Sequence, residues 1–221
     1  MADDVRELRS FGRRRGRKAS ARQAALLRDA LPRYAFDPGS LPRPGKLEMW
    51  LEIGFGSGEH LLWQARHHPN VDLVGCEPYE DGVIKVLGAI EAERLENVRI
   101  HMGDVRDVLR KLAAASIDRV FILFPDPWPK RKHRKRRLVN PSLLNLLAGV
   151  MKPGAELRIA TDIGDYARTM LEAFAFDLRF AWQAEGPEDW RLRPSDWPET
   201  RYEAKAAAAG RRRYYFRFLR L

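Results

Sequence analysis

From residue 47 onward, short apolar runs alternate with longer stretches in which apolar residues recur every three or four positions. The runs predict strands at 47–53, 71–76, 98–102, 117–124 and 155–160. The periodic stretches predict helices near 58–68, 80–94, 104–114, 140–151 and 163–174. Strands this short and apolar are buried on both faces, and the helices between them need a sheet to cover their apolar stripes, so parallel strands with crossover helices follow. The tail changes character: L-R-F-A-W-Q-A and R-R-R-Y-Y-F-R-F-L-R-L predict two closing strands, with an antiparallel arrangement in view. No internal repeat is present.

Upstream of this block, S-A-R-Q-A-A-L-L-R-D-A-L has helical spacing behind a Ser20 cap and is expected to end at Pro32. Pro38-Gly39, Pro42 and Pro44-Gly45 predict a linker. Residues 1–19 have no apolar periodicity and predict a flexible basic arm. The expected organisation is therefore an arm over 1–19, a helix and linker over 20–45, and one α/β domain over 46–221.

Charge sharpens the picture. The 221 residues carry 40 Lys and Arg against 30 Asp and Glu, a net charge of +10. Five of those cations lie within 13–18 and seven within 130–137, more than the whole surplus. A near-neutral body with two cationic strips suits a polyphosphate partner, because each neutralised phosphate releases counterions. Cys76 is the sole cysteine, which excludes an intrachain disulfide and a Cys-rich zinc site, and the five histidines lack ligand spacing, so no metal is expected. No apolar run approaches the roughly 20 residues of a membrane span, and the amino terminus has no hydrophobic leader, which points to the cytoplasm and away from membranes.

The first candidate chemistry is L-E-M-W-L-E-I-G-F-G-S-G-E-H, a strand entering a turn with Gly54, Gly56 and Gly58 and leaving as a helix. Such a turn lets a ligand lie against the main chain at a helix amino end. Its G-x-G-x-G spacing departs from the dinucleotide fingerprint, no basic residue stands in it, and Glu52 and Glu59 flank it. That disfavours a pyrophosphate and favours a cationic or neutral ligand. Glu77 ends the second strand, where a carboxylate can accept both ribose hydroxyls of an adenosine. Asp104 ends the third, suited to an adenine edge or equally to capping the next helix. In register, these three features resemble the S-adenosylmethionine pocket of class I methyltransferases.

The fourth strand runs into F-P-D-P-W-P-K-R-K-H-R-K-R-R. Pro125 and Pro127 fix φ and remove donors on either side of Asp126, which holds its carboxylate at the carboxyl edge of the sheet. Seven like charges in the next eight positions repel one another unless an anion compensates them. Lys130, Lys132, His133, Arg134, Lys135, Arg136 and Arg137 are thus candidate RNA contacts. Read as packing alone, the segment is a rigid turn followed by a solvated loop.

With these motifs the sequence resembles the bacterial tRNA (guanine-N7)-methyltransferases over about residues 47–203. The resemblance is carried by E-I-G-F-G-S-G, Glu77, G-D-V at Asp104, the F-P-D-P-W stretch, A-T-D-I-G-D-Y-A and T-R-Y-E. The chain departs from the family pattern at Ile163-Gly164 and at Ala206. The resemblance implies a Rossmann-like class I methyltransferase fold, a seven-stranded mostly parallel sheet with an antiparallel closing strand. It implies S-adenosylmethionine as cofactor and tRNA as partner, with guanosine 46 of the variable loop as target and a monomer or homodimer as the working unit. It also implies Asp126 as the catalytic residue. Glu52, Gly54, Gly56, Gly58, Glu77, Asp104 and Asp126 would meet the methyl donor, and Lys130, Asp162, Thr200, Arg201, Tyr202 and Glu203 the substrate nucleoside.

Two rivals have sequence features of their own. F-P-D-P-W is similar to the Asp/Asn-Pro-Pro-aromatic motif of exocyclic-amine methyltransferases, but there consecutive prolines are needed, whereas here they straddle Asp126. A catalytically silent RNA-binding protein on the same fold would be expected to have lost the acids and glycines that this chain keeps.

Overall fold

The computed structural model describes residues 12, 14–16, 19–40, 43 and 45–221. Most of the expected arm, and Leu41, Pro42 and Pro44 of the expected linker, lie outside the described residues.

Seven strands form one sheet: β1 Glu48–Ile53, β2 Val71–Cys76, β3 Val98–His101, β4 Ile117–Leu123, β5 Met151–Thr161, β6 Phe180–Trp182 and β7 Tyr214–Arg220, in the order β3-β2-β1-β4-β5-β7-β6. β1 to β5 are parallel, and β7 runs antiparallel between β5 and β6. The crossovers are α3 Glu59–His67, α4 Glu80–Glu93, α5 Val105–Leu109, α6 Pro141–Val150 and α7 Gly164–Ala175. Two apolar layers, one on each face, bury the sheet. One gathers Leu143, Leu147, Tyr166 and Met170 of α6 and α7, the other Leu61, Val83, Leu87 and Ile90 of α3 and α4. β1 sits between β2 and β4, so the chain leaves β1 toward one side and returns to β4 on the other. Crevices at the carboxyl ends of such strands are where ligands of open α/β sheets bind.

The helix from Ser20 does not end at Pro32. It passes from α1 Ala21–Ala25 through a π-helical turn, Leu26–Ala30, into α2 Leu31–Tyr34, and the amide of Leu31 donates to the carbonyl of Leu26 five residues back. A proline ring clashes with the carbonyl four residues earlier, and the widened turn makes room for it. Ser20 and Gln23 cap the start reciprocally. Ala35 then bridges Ile100 of β3, and the amide of Phe36 donates to the Ile100 carbonyl at 2.9 Å.

β5 begins four residues before its expected start. The residues of M-K-P-G lie in a bulge: Ile117 pairs with Met151, and the next pair is Arg119 with Glu156. Bulges are where strands tolerate proline and glycine. Helix α5 stops at Leu109, short of the expected 114. Two short polar helices, α8 Glu188–Arg191 and α9 Arg201–Ala208, stand where none is predicted; α9 has only Glu203 and Ala206 buried, too little apolar stripe to announce it. Among the described residues no helix is long and apolar enough to cross a membrane.

Candidate active site

A cavity of about 360 Å³ opens at the carboxyl ends of β1 to β4, within the size range of small-molecule sites. Its floor is the glycine turn after β1. Gly54, Gly56 and Gly58 have φ of +79°, +56° and +83°, a region that favours glycine. The Gly56 amide donates to Glu77 Oε2 at 2.8 Å, and the Tyr79 amide donates to Oε1 at 2.9 Å. Glu77 is thus braced by two backbone groups while it lines the cavity. Burial pushes its pKa up, against the pull of those two bonds.

Gly82, in the first turn of α4, is a residue that sequence reasoning missed. A Cβ there would lie 2.1 Å from the Gly56 carbonyl oxygen, so α4 seats against the glycine turn only because position 82 has no side chain. The available signal was a glycine near the start of an otherwise good helix, where it costs helix stability.

Asp104 is both a cap and a wall. Its carboxylate accepts from the Arg106 amide at 2.9 Å and pairs with the Arg106 guanidinium at 2.8 Å, and both residues face the cavity. Arg106 Nη1 reaches both carboxylate oxygens, so the wall at this point is an ion pair held in place by the cap. Glu52 lies behind the turn instead. It is 3% exposed and bonded to His60 Nδ1 at 2.7 Å, and His60 packs edge-on against Phe121 and Trp197. Gly58 likewise supports from behind, packed on Val86. On this side the cavity is therefore lined by Gly54, Gly56, Glu77, Asp104 and Asp126.

Asp126 stands on an elbow bracketed by two strained residues, Phe124 at φ +51° and Trp128 at φ +41°. Non-glycine residues persist in that region only where their surroundings over-determine them. The Phe124 amide donates to the Ala160 carbonyl of β5 at 2.8 Å, pinning one end. The Asp126 carboxyl opens to the cavity, and the surrounding walls push its pKa above the ordinary aspartate range. Beyond it the wall continues with Trp128, Arg136, Leu138 and Tyr202. The Arg136 guanidinium lies over the Trp128 ring at 4.9 Å, and Tyr202 rests against Gly56. The described part of the arm reaches the same place: Gly12 lines the cavity near Asp126, and the Arg14 carbonyl accepts from the Glu80 amide at 3.0 Å.

The cationic strip folds over the elbow as a 3-10 helix, Arg131–Arg136. Arg131, Lys132, Arg134 and Lys135 are exposed, with Arg134 paired to Asp165 at 2.8 Å; Lys130 is exposed at the start, and His133 sets its ring edge-on to Trp128. Arg137 departs from the sequence expectation. Its side chain is 2% exposed and bonded inward, so it cannot present its guanidinium to a phosphate.

The expected nucleoside contacts are brought together less completely. Tyr202 alone of that set lines the cavity. Asp162 pairs with Arg211 at 2.6 Å. Thr200 caps α9 by accepting from the Glu203 amide, and Arg201 pairs with Glu59 at 3.5 Å. Glu203 is 3% exposed, bonded to the Tyr215 hydroxyl and paired with Arg193 at 3.1 Å. It points into the body, not into the cavity.

Three acids on the wall, Glu77, Asp104 and Asp126, and a turn without cations suit a ligand that carries positive charge, the lining arginines being engaged by Asp104 and by the Trp128 ring. Comparison with known proteins agrees with that chemistry. Residues 46–216 match a family model described as "Putative methyltransferase". Over 204 residues the chain is 47% identical to a tRNA (guanine-N(7)-)-methyltransferase of Hyphomonas neptunium, covering 90% of this chain and 93% of that one. A protein of the same name from Roseobacter denitrificans is 43% identical over 235 residues, covering the whole of both. Among solved structures, a Streptococcus mutans protein described as "a putative methyltransferase" in complex with SAH superposes with a TM-score of 0.53 at 13% identity, covering 92% of this chain and all of that one.

Proposed function

The chain belongs to the tRNA (guanine-N7)-methyltransferase family, and on that premise we propose that it transfers the methyl group of S-adenosylmethionine to N7 of guanine in tRNA, at guanosine 46 of the variable loop. The observation that carries this reading is that one cavity joins two environments. The glycine turn, Glu77 and Asp104 form one side, and Asp126, Trp128 and Arg136, at the root of the cationic strip, form the other.

When bound, S-adenosylmethionine supplies a methyl group on a positively charged sulfur. Gly54 and Gly56 offer close backbone approach for its amino-acid end, Glu77 takes the ribose hydroxyls, and Asp104 faces the adenine. Glu52 acts from behind the turn, in company with His60. Guanine N7 has an in-plane lone pair and no proton, so its attack needs no general base, and alignment is the main task. Asp126 stands beside the purine and offsets the positive charge that develops on the ring, the kind of fixed electrostatic stabilisation that outweighs other terms in many enzymes. Its carboxylate also matches the guanine N1 and N2 protons, and Tyr202 offers a ring for stacking. Asp162, Thr200, Arg201 and Glu203 shape this wall through the bonds that hold α9 and the end of β5 in place.

The exposed cations of the strip contact tRNA phosphates, and tRNA shape sets the target. Every group named belongs to one chain, so the reading needs no second copy; the cytoplasm, where tRNA is handled, is the proposed location.

Neutralising Arg131, Lys132 and Lys135 together to glutamine is expected to lower the slope of log affinity against log salt by about 2 to 3. Affinity for the methyl donor should stay unchanged. Filter binding across a salt series checks both, and an unaltered slope would remove the strip from the interface. The function itself is tested by incubating unmodified tRNA with labelled methyl donor, then applying reduction and aniline. Strand scission at one variable-loop guanosine is the expected result; label that survives as a methylated exocyclic amine would support the rival chemistry.

A further inference from the structure

Arg137 closes the cationic strip in sequence but belongs to the elbow in space. Its Nε donates to the carbonyl of Pro127 at 3.2 Å. One terminal nitrogen donates to the Asp165 carbonyl at 3.3 Å and to Thr169 Oγ1 at 2.7 Å, and the other pairs with the Asp165 carboxylate. The guanidinium carbon lies 4.8 Å from the centre of the Tyr166 ring, and the Tyr166 hydroxyl accepts from the Val139 amide at 3.0 Å. Bonding to Arg137 holds the Asp165 carboxyl below the usual carboxylate range.

The placement of these bonds matters more than their number. The Pro127 carbonyl belongs to the peptide that joins Pro127 to Trp128, one residue after Asp126 and at the strained end of the elbow. Phe124 is tied to β5 by its own amide, but neither Pro125 nor Pro127 has an amide hydrogen with which to anchor the middle. Asp165, Tyr166 and Thr169 lie on the first turns of α7, just after Asp162. Arg137 therefore fastens the far side of the elbow to α7, and Arg134 shares the same carboxylate from the strip.

We propose that Arg137 is a positioning residue for methyl transfer: it fixes the Pro127–Trp128 peptide, one residue beyond Asp126, against the start of α7 and makes no contact with RNA. The proposal rests on the role of Asp126 given above. A planar fork is needed, because one group must reach a carbonyl on the elbow and three acceptors on α7 at once. A lysine ammonium, a compact point charge, can keep the Asp165 pair but not the whole set.

The test uses full-length protein, with rates normalised to sites titrated by the methyl donor so that unfolded molecules do not count. For Arg137→Lys, kcat on tRNA is expected to fall by about 10²-fold, the scale of a small misplacement of reacting groups. Affinity for tRNA, its salt slope and affinity for the methyl donor should remain within twofold of wild type. Thr169→Val, which removes the bond from Arg137 and the hydroxyl's own bond to the Asp165 carbonyl but no charge, should show a smaller fall in kcat with the same unchanged binding. An Arg137→Lys enzyme with wild-type kcat, or variants whose loss lies in tRNA affinity and salt slope, would overturn the proposal. Wild-type protein that transfers no methyl to tRNA would instead overturn the reading on which it rests.

Discussion

Asp126→Asn is expected to lower methyl transfer to tRNA by about 10²- to 10³-fold, the scale seen when one preorganised electrostatic group is lost. The amide keeps the size and one hydrogen-bond acceptor, while the negative charge beside the methyl donor and the alkylated purine disappears, so affinity for the donor should also fall, whereas tRNA held through its phosphates should bind much as before. The pH dependence follows from the raised pKa of Asp126. Wild-type activity should fall on the acid side at a pH above the ordinary aspartate value of about 3.9, and the residual activity of the variant should lack that limb. Stability should move the other way. A carboxyl whose folded pKa exceeds its unfolded one binds protons more tightly in the folded state. Its ionised form then opposes folding above the raised pKa and ceases to do so as pH falls through it. Asp126→Asn should therefore melt at or above the wild-type temperature at neutral pH, with the difference vanishing in acid. Single-turnover rates and melting curves across pH check both halves; full activity in the variant would displace Asp126 from its role.

Gly82→Ala is expected to damage the site without touching any ligand-facing side chain. The added methyl would fall 2.1 Å from the Gly56 carbonyl oxygen, a backbone atom that cannot rotate away. Either α4 withdraws or the glycine turn shifts. Overpacking of this kind costs about 1 to 3 kcal/mol, which for a chain of this size lowers the melting temperature by roughly 2 to 4 °C per kcal/mol. The second effect is larger for function. A ligand at 100 times its dissociation constant stabilises the folded state by about 2.7 kcal/mol, and a displaced turn should forfeit most of that gain. Gly88→Ala is the control on the same helix. Its added carbon would meet only Leu26 Cδ1, at 3.7 Å, and alanine is the better helix former by up to about 1 kcal/mol. Calorimetry with and without the methyl donor separates the two glycines, and a Gly82→Ala protein that melts and binds like wild type would contradict the packing argument.

Features written in adjacent residues were the ones legible in the sequence. The alternation of two periodicities announced β1 to β4 and their helices, and closing strands were visible in the aromatic tail. G-x-G-x-G and P-D-P declared their own geometry, because glycine and proline act on the backbone where they stand. Pro32 misled for a physical reason, since a π turn accommodates it, and β5 starts before its expected position because a bulge admits Met151 to Gly154; both depend on tertiary packing. What the sequence withheld was direction. The family resemblance made Glu203 a ligand candidate and the charge run made Arg137 a phosphate candidate, but only the fold turns Glu203 toward Tyr215 and Arg193, and Arg137 toward Pro127 and Asp165. Likewise the Gly82 contact with Gly56 and the His60 bond to Glu52 join segments whose meeting no local pattern encodes.

The central claim is that the ring nitrogen N7 of guanine, held beside Asp126, is the atom that receives the methyl group. The most direct measurement compares two tRNA substrates that are identical except that in one the guanosine at the labelled position is replaced by 7-deazaguanosine, which has a C–H in place of N7. Both keep the phosphates, the shape and the exocyclic amine. Transfer of labelled methyl to the guanosine tRNA, with none above background to the 7-deaza tRNA despite equal binding, is the predicted result. Equal incorporation into both, or none into either, would contradict it.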